Sequence, residues 1–154
     1  MVSEGDKAPD FSLTNEEGKM ISLKDFLGTP VVLFFYPKDN TPGCTQEVCD
    51  FRDNFGRVRA AGAEVFGVSA DSVDSHRKFI AKKELPFSLL SDPDHTTLDA
   101  YSVWKKKSLY GKVFLGIERS TFIIDRNGMV ARVFRKVKVS GHVDAVLDAL
   151  KTID

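Results

Sequence analysis

The sequence predicts an α/β fold: a mixed central β-sheet flanked by helices, with a β-hairpin extension at the N-terminus. Three observations carry this expectation. The run Val31-Val32-Leu33-Phe34-Phe35-Tyr36 is β-branched and aromatic throughout, as in a strand buried on both faces. From Thr45 to Trp104, helix-like and strand-like stretches alternate. Near the end, Arg126-Asn127-Gly128 separates two apolar stretches as a hairpin turn, and an amphipathic helix follows. The chain has 154 residues, with no internal repeat and no Ser/Pro/Gly-rich linker, so residues 1–154 read as one domain.

Each element follows from local pattern. Phe11 to Thr14 alternates apolar and polar residues, Asn15-Glu16-Glu17-Gly18 turns, and Lys19 to Leu23 returns. Pro37 ends the Val31–Tyr36 strand, and Lys38 to Gly43 forms a loop rich in turn residues. Val48, Phe51, Phe55 and Val58 recur at helical spacing, predicting a helix from Thr45 to about Ala61 with Gly62 as its cap. Glu64 to Ser69 is a strand. Ser72 or Asp74 opens a helix that ends before Pro86, and Phe87 to Leu90 is a short strand. A helix from about Thr96 to Trp104 comes next. Ser120–Asp125 and Met129–Val137 flank the hairpin turn, and Gly141 to Thr152 buries Val143, Val146, Leu147 and Leu150. Strands alternating with helices, then a hairpin and a terminal helix, are compatible with a thioredoxin-like core.

Composition excludes several classes. Apolar residues make up 42% and charged residues 29%, so a packed core is expected rather than disorder. Lys plus Arg is 22 and Asp plus Glu is 22. That balance argues against nucleic acid or membrane as a partner, while leaving room for a local patch. The longest apolar run is Val31 to Tyr36, far short of the roughly 20 residues of a membrane span. The first residues show no basic stretch followed by an apolar run, so a cytoplasmic location is expected. Lys105-Lys106-Lys107 reads as a solvated loop, with a docking patch for an acidic partner as the lesser reading, Trp104 and Tyr101 as core or pocket wall, and His142 as a structural histidine. No phosphate-binding loop or metal-ligand cluster is visible.

The chemistry concentrates at two cysteines, Cys44 and Cys49. They are too few for a disulfide scaffold, and His76, His95 and His142 have no ligand-like spacing to them. Cys44 follows a buried strand and a tight loop, immediately before the expected helix. Unpaired N–H groups and the helix dipole stabilise a thiolate there, so Cys44 is expected to have a lowered pKa and to be reactive. Cys49 lies five residues on. In a helix the two side chains would point about 140° apart, with Cα atoms about 8 Å apart. A disulfide between them exceeds the roughly 7 Å limit, so it would require the first helical turns to unwind. Glu47 reads as a helix-cap acid, outside the catalytic set.

The segment Tyr36-Pro37-Lys38-Asp39-Asn40-Thr41-Pro42-Gly43-Cys44-Thr45-Gln46-Glu47-Val48-Cys49 resembles the active-site segment of the peroxiredoxins. The subgroup it resembles is that of bacterioferritin comigratory protein, the Q type. The Pro-x-x-x-Thr-x-x-Cys signature is present as Pro37, Thr41 and Cys44. Gly5 to Phe11, Val68 to Ser72, Leu89 to Asp92, Arg119 to Asp125 and Gly141 to Val143 resemble further landmarks in the same order. The resemblance implies a thioredoxin-like fold and a thiol-dependent peroxidase acting on hydrogen peroxide and organic hydroperoxides. Cys44 would be the peroxidatic cysteine and Cys49 the resolving one, joined in an intramolecular disulfide. Thr41 would hydrogen-bond the thiolate or peroxide, Arg119 would activate both, and Pro37 would shield the sulfur. Thioredoxin or a similar dithiol protein would recycle the disulfide, with no metal, haem or flavin. A monomer leads, with a homodimer open. A general thiol–disulfide oxidoreductase lacks its usual Cys-x-x-Cys pair here; a peroxide sensor on the same fold is the other alternative.

Overall fold

The computed structural model describes residues 1–153. In chain order the strands are β1 (Ser12–Thr14), β2 (Met20–Ser22), β3 (Val31–Phe35), β4 (Glu64–Ser69), β5 (Ser88–Ser91), β6 (Trp104–Leu109), β7 (Lys112–Ile117), β8 (Ser120–Ile124) and β9 (Val130–Phe134). The helices are α1 (Pro42–Asp53), α2 (Phe55–Ala60), α3 (Val73–Lys83), α4 (Thr96–Ala100) and α5 (His142–Leu150). Seven strands form one sheet in the order β2-β1-β5-β4-β3-β8-β9, and β6 pairs with β7 alone. Strands β3, β4 and β5 run parallel, while β8 lies antiparallel to β3. This is the mixed sheet expected, and the N-terminal hairpin β1–β2 joins its edge through β5.

β3 sits at the centre because every side chain on it is buried. Strand pleating sends them alternately to two cores. Val32 and Phe34 face a cluster built with α1, α2, α3 and α5. Val31, Leu33 and Phe35 face a second cluster with Phe11, Leu98, Tyr101 and Phe122. Aromatic contacts tie the first cluster to α1: the Phe34 and Phe51 rings stack with centroids 4.7 Å apart. Gly67 of β4 stands opposite Phe34 of β3 and Leu89 of β5. A Cβ there would come within 2.7 Å of both the Phe34 ring and Leu89 Cδ2, so only hydrogen fits.

Three boundaries differ from the sequence reading, each for a local reason. The helix expected from Thr45 begins at Pro42, because proline suits a first helical position where no N–H bond is needed. The same helix breaks at Asn54 rather than running to Ala61. The Asn54 side chain and backbone both donate to the Asp50 carbonyl, at 2.9 and 3.2 Å, and α2 starts afresh. The helix expected from Thr96 to Trp104 stops at Ala100, where Ser102 adopts a positive φ of 60° and turns the chain. Trp104 begins β6, and Lys105-Lys106-Lys107 lies on a strand, not in a loop. Tyr110 and Gly111, with φ of 52° and 78°, supply the two-residue turn of the β6–β7 hairpin. The remaining elements hold, including the 126–128 turn, where the Asp125 carboxylate accepts from the amides of Asn127 and Met129.

The crowding at Gly67 has a measurable consequence. Gly67→Ala should lower unfolding free energy by about 1–3 kcal/mol through overpacking, read by urea denaturation. An unchanged midpoint would show that Phe34 and Leu89 can move aside.

Candidate active site

The site is built where α1 begins beneath the end of β3. Pro42 and Gly43 open the helix and Cys44 is its third residue, inside the first turn rather than ahead of it. The first intrahelical bond is made by the Thr45 amide to the Thr41 carbonyl, at 2.8 Å. The amides of Gly43 and Cys44 precede that bond, so their positive ends are presented at the helix N-terminus. Cys44, Val48 and Phe51 lie on the core-facing stripe of α1, which leaves Cys44 only 1% exposed. The sulfur is thus buried against the apolar core within the first turn of α1.

Arg119 reaches this sulfur from the turn between β7 and β8. Its Nη2 donates to Cys44 Sγ at 3.4 Å, and its Nη1 donates to Glu47 Oε1 at 2.6 Å. Gly43 permits the approach, since a Cβ there would lie 3.2 Å from Arg119 Nη2. The Val137 amide holds the Arg119 carbonyl at 3.0 Å and so fixes the turn. Burial works against the Arg119 charge, but Glu47 and Cys44 outweigh it and hold the guanidinium above its usual value. Lys107 of β6 is half-buried beside the site; burial lowers its ammonium pKa, Arg119 adds to that, and Cys44 opposes it.

Glu47 was assigned to helix capping from the sequence, and its position corrects that. It is fully buried, and its partner is the distant Arg119 rather than a helix amide. Among the described residues its Oε2 has no hydrogen-bond partner. Burial pushes its carboxyl up to about 7, against the opposing pull of Arg119. The signal available in the sequence was its place three residues after Cys44, on the same helical side.

The loop before Cys44 is held by a second network that the sequence did not disclose. The buried Tyr36 hydroxyl donates to Asp39 Oδ1 at 2.6 Å, and Ser75 Oγ donates to Asp39 Oδ2 at 2.8 Å. His76 Nδ1 lies 2.8 Å from the same Oδ2, and the Asp39 amide donates to Asp71 Oδ2 at 2.8 Å. Burial, reinforced by the Asp39 charge, raises the Tyr36 hydroxyl well above its normal range. These contacts pin the loop to α3 and to the end of β4. Thr41 lies in that loop, but its hydroxyl donates to the Lys38 carbonyl at 2.8 Å rather than to Cys44. Pro37 is half-buried at the end of β3. Cys49 is a half-buried free thiol farther along α1. His142 is structural: it meets Thr121 Oγ1 at 2.7 Å, and burial, helped by Arg119, lowers it to about 4.

Because Glu47 sits above the 4.5 of a free carboxyl, the folded chain holds its proton more tightly than the unfolded chain. That stabilisation is complete below pH 4.5 and is lost as the pH rises through about 7. Relative to Glu47→Gln, the parent should therefore lose up to about 3 kcal/mol of stability across this window. Parallel stability–pH curves for the two proteins would remove Glu47 as a titrating group.

Comparison with known proteins agrees with this geometry. Residues 4–133 match the AhpC/TSA family. The chain is 50% identical to the putative peroxiredoxin Bcp of Coxiella burnetii, covering 97% of this chain and 99% of that protein. It is 49% identical to peroxiredoxin Bcp of Bacillus subtilis, covering 97% and 96%. A cysteine-to-serine variant of PrxQ from Xylella fastidiosa superposes with a TM-score of 0.93 at 38% identity, covering 98% and 96%. The bacterioferritin comigratory protein of Xanthomonas campestris, studied for alkyl peroxide reduction, gives 0.88 at 48% identity, covering 92% and 90%. With Cys44 at the head of α1 and Arg119 on its sulfur, the thioredoxin-like chain belongs to the AhpC/TSA family and, within it, to the Bcp/PrxQ peroxiredoxins.

Proposed function

We propose that this chain is a thiol-dependent peroxidase reducing hydrogen peroxide and organic hydroperoxides. The observation that carries it is the buried Cys44 sulfur at a helix N-terminus with Arg119 Nη2 at 3.4 Å. A thiolate there attacks the terminal oxygen of the peroxide. An S–O bond forms, the O–O bond breaks, and the departing oxygen takes a proton as water or alcohol. Arg119 is a donor on the sulfur, and the positive end of the α1 dipole adds to it in favouring the charge that moves from sulfur to oxygen. Thr41, with its hydroxyl parked on the Lys38 carbonyl, is placed to turn toward a bound peroxide. Pro37, at the same rim, limits water at the sulfur. The alkyl peroxide activity of the Xanthomonas relative supports the substrate class.

The sulfenic acid on Cys44 is then attacked by the Cys49 thiol: the S–O bond breaks, an S–S bond forms, and water leaves. Both cysteines lie on α1 with a separation of about 8 Å between Cα atoms in an intact helix. Disulfide formation must therefore unwind the first turns. A protein dithiol such as thioredoxin supplies two electrons and two protons to restore both thiols. Residues 1–154 act here as one unit, and with both sulfurs on one helix the cycle runs in a monomer. The cytoplasm, where thiol reductants abound, suits such a cycle.

Two outcomes test this reading. Cys44→Ser should abolish peroxide consumption, whereas Cys49→Ser should keep the first, stoichiometric step and lose thioredoxin-supported turnover. Retained turnover in Cys44→Ser sinks the proposal, and a single stoichiometric oxidation of the parent with thioredoxin present identifies a sensor. Separately, amide exchange in residues 44–52 should accelerate on oxidation; equal protection in both redox states contradicts the unwinding step.

A further inference from the structure

The β6–β7 hairpin is an arm outside the main sheet, its strands paired only with each other. Its foot is fixed. Trp104 stacks on His95 with ring centroids 3.9 Å apart, and Ile117 is buried in the second core. Its outer half is not covered. Leu109 is 58% exposed, Tyr110 96%, Val113 69%, Phe114 45% and Leu115 55%. Strand alternation puts Val113 and Leu115 on one face of the arm and Leu109 and Phe114 on the other, with Tyr110 at the turn, so each face leaves apolar side chains open to water as a contact surface would. Lysines are interleaved with them across the ladder: Lys106 stands opposite Leu115, Lys107 opposite Phe114, and Lys112 opposite Leu109.

The place of the arm matters as much as its composition. Its foot runs directly into Arg119, two residues after β7 ends, and Lys107 lies near enough to the site for Arg119 to lower its ammonium pKa and Cys44 to raise it. A partner seated on the arm is therefore held beside the reactive sulfur. A peroxide is too small to need such a surface. In the cycle proposed above, the participant large enough to use it is the dithiol protein.

We propose that the β6–β7 arm is the docking surface for the protein reductant, an inference that rests on the peroxidase reading. The face concerned is that of Lys107, which carries Leu109, Phe114 and Lys112; the partner it fits has its reactive thiol in an apolar surface edged by carboxylates, which complement Lys107 and Lys112. A second copy of this chain fits less well, because a two-fold contact through this patch would bring lysine-bearing arms together.

The test compares two reductants in steady-state peroxide turnover. Dithiothreitol needs no docking surface; thioredoxin, kept reduced by its reductase, does. The variants are Leu109→Ser with Phe114→Ser, and Lys112→Glu, all at exposed positions on one face of the outer half of the arm. Dithiothreitol-supported turnover should stay within about twofold of the parent in both variants. The KM for thioredoxin should rise about tenfold in the apolar variant. In the lysine variant the KM should rise and lose most of its dependence on salt. An unchanged thioredoxin KM in both variants overturns the proposal. So does an unchanged KM accompanied by loss of self-association or of binding to phosphatidylglycerol vesicles, which would assign the arm to a second copy or to lipid. No dithiothreitol-supported turnover in the parent would instead overturn the peroxidase reading and the docking role with it.

Discussion

One cation serves two buried groups, and the active-site architecture follows from that. Arg119 is the hydrogen-bond partner of a fully buried carboxyl, Glu47, and of a buried sulfur, Cys44. Neither group is cheap to hide. An unpaired buried charge costs several kcal/mol, and an apolar surrounding alone would favour a neutral thiol. A guanidinium can meet both because its donors are spread over a rigid plane. The neighbouring features make room for it: Gly43 has no Cβ in its path, the Val137 amide fixes its backbone, and Cys44 itself stands in the first turn of α1.

That arrangement needs a firm foundation, and the chain supplies it from elements remote in sequence. The loop from Pro37 to Thr41 would be free to wander if it rested on turn residues alone. Asp39 instead accepts from Tyr36 and Ser75 and meets His76, so strand β3, the loop and α3 share one polar knot. Beneath it, the Phe34–Phe51 stack sets the tilt of α1 against the sheet. Gly67 keeps the space for the Phe34 ring. The position of the sulfur is thus coupled to packing in the middle of the sheet.

Elements whose signal is local were readable from the residues. The two-faced apolar run of β3, the 126–128 turn and the α5 stripe each stand on a period or a turn type. The cysteines could be singled out because Pro42-Gly43 precedes Cys44 at a helix start. What could not be read is what depends on distant partners. In a helix read from Thr45, Glu47 has the local mark of a capping acid; in α1 as it begins at Pro42 it lies past the first turn, and Arg119, from the turn between β7 and β8, makes its burial tolerable. Arg119 itself was found by resemblance to a family segment, since nothing in its own neighbours distinguishes it from a surface arginine. The β6–β7 arm was missed because Lys105-Lys106-Lys107 erases the strand alternation and the turn is Tyr-Gly rather than Asn-Gly.

The helix break at Asn54 bears on how far a disturbance can spread. Had α1 and α2 been one continuous rod, unwinding at its head would have loosened a ladder running to Ala60. As built, α1 ends in its own hydrogen bonds at Asn54, and α2 is seated separately by Val58 in the core. The segment from Pro42 to Asp53 is thus a cassette with a firebreak behind it. The unwinding proposed for its head has a stop at Asn54, short of the sheet, α2 and α5.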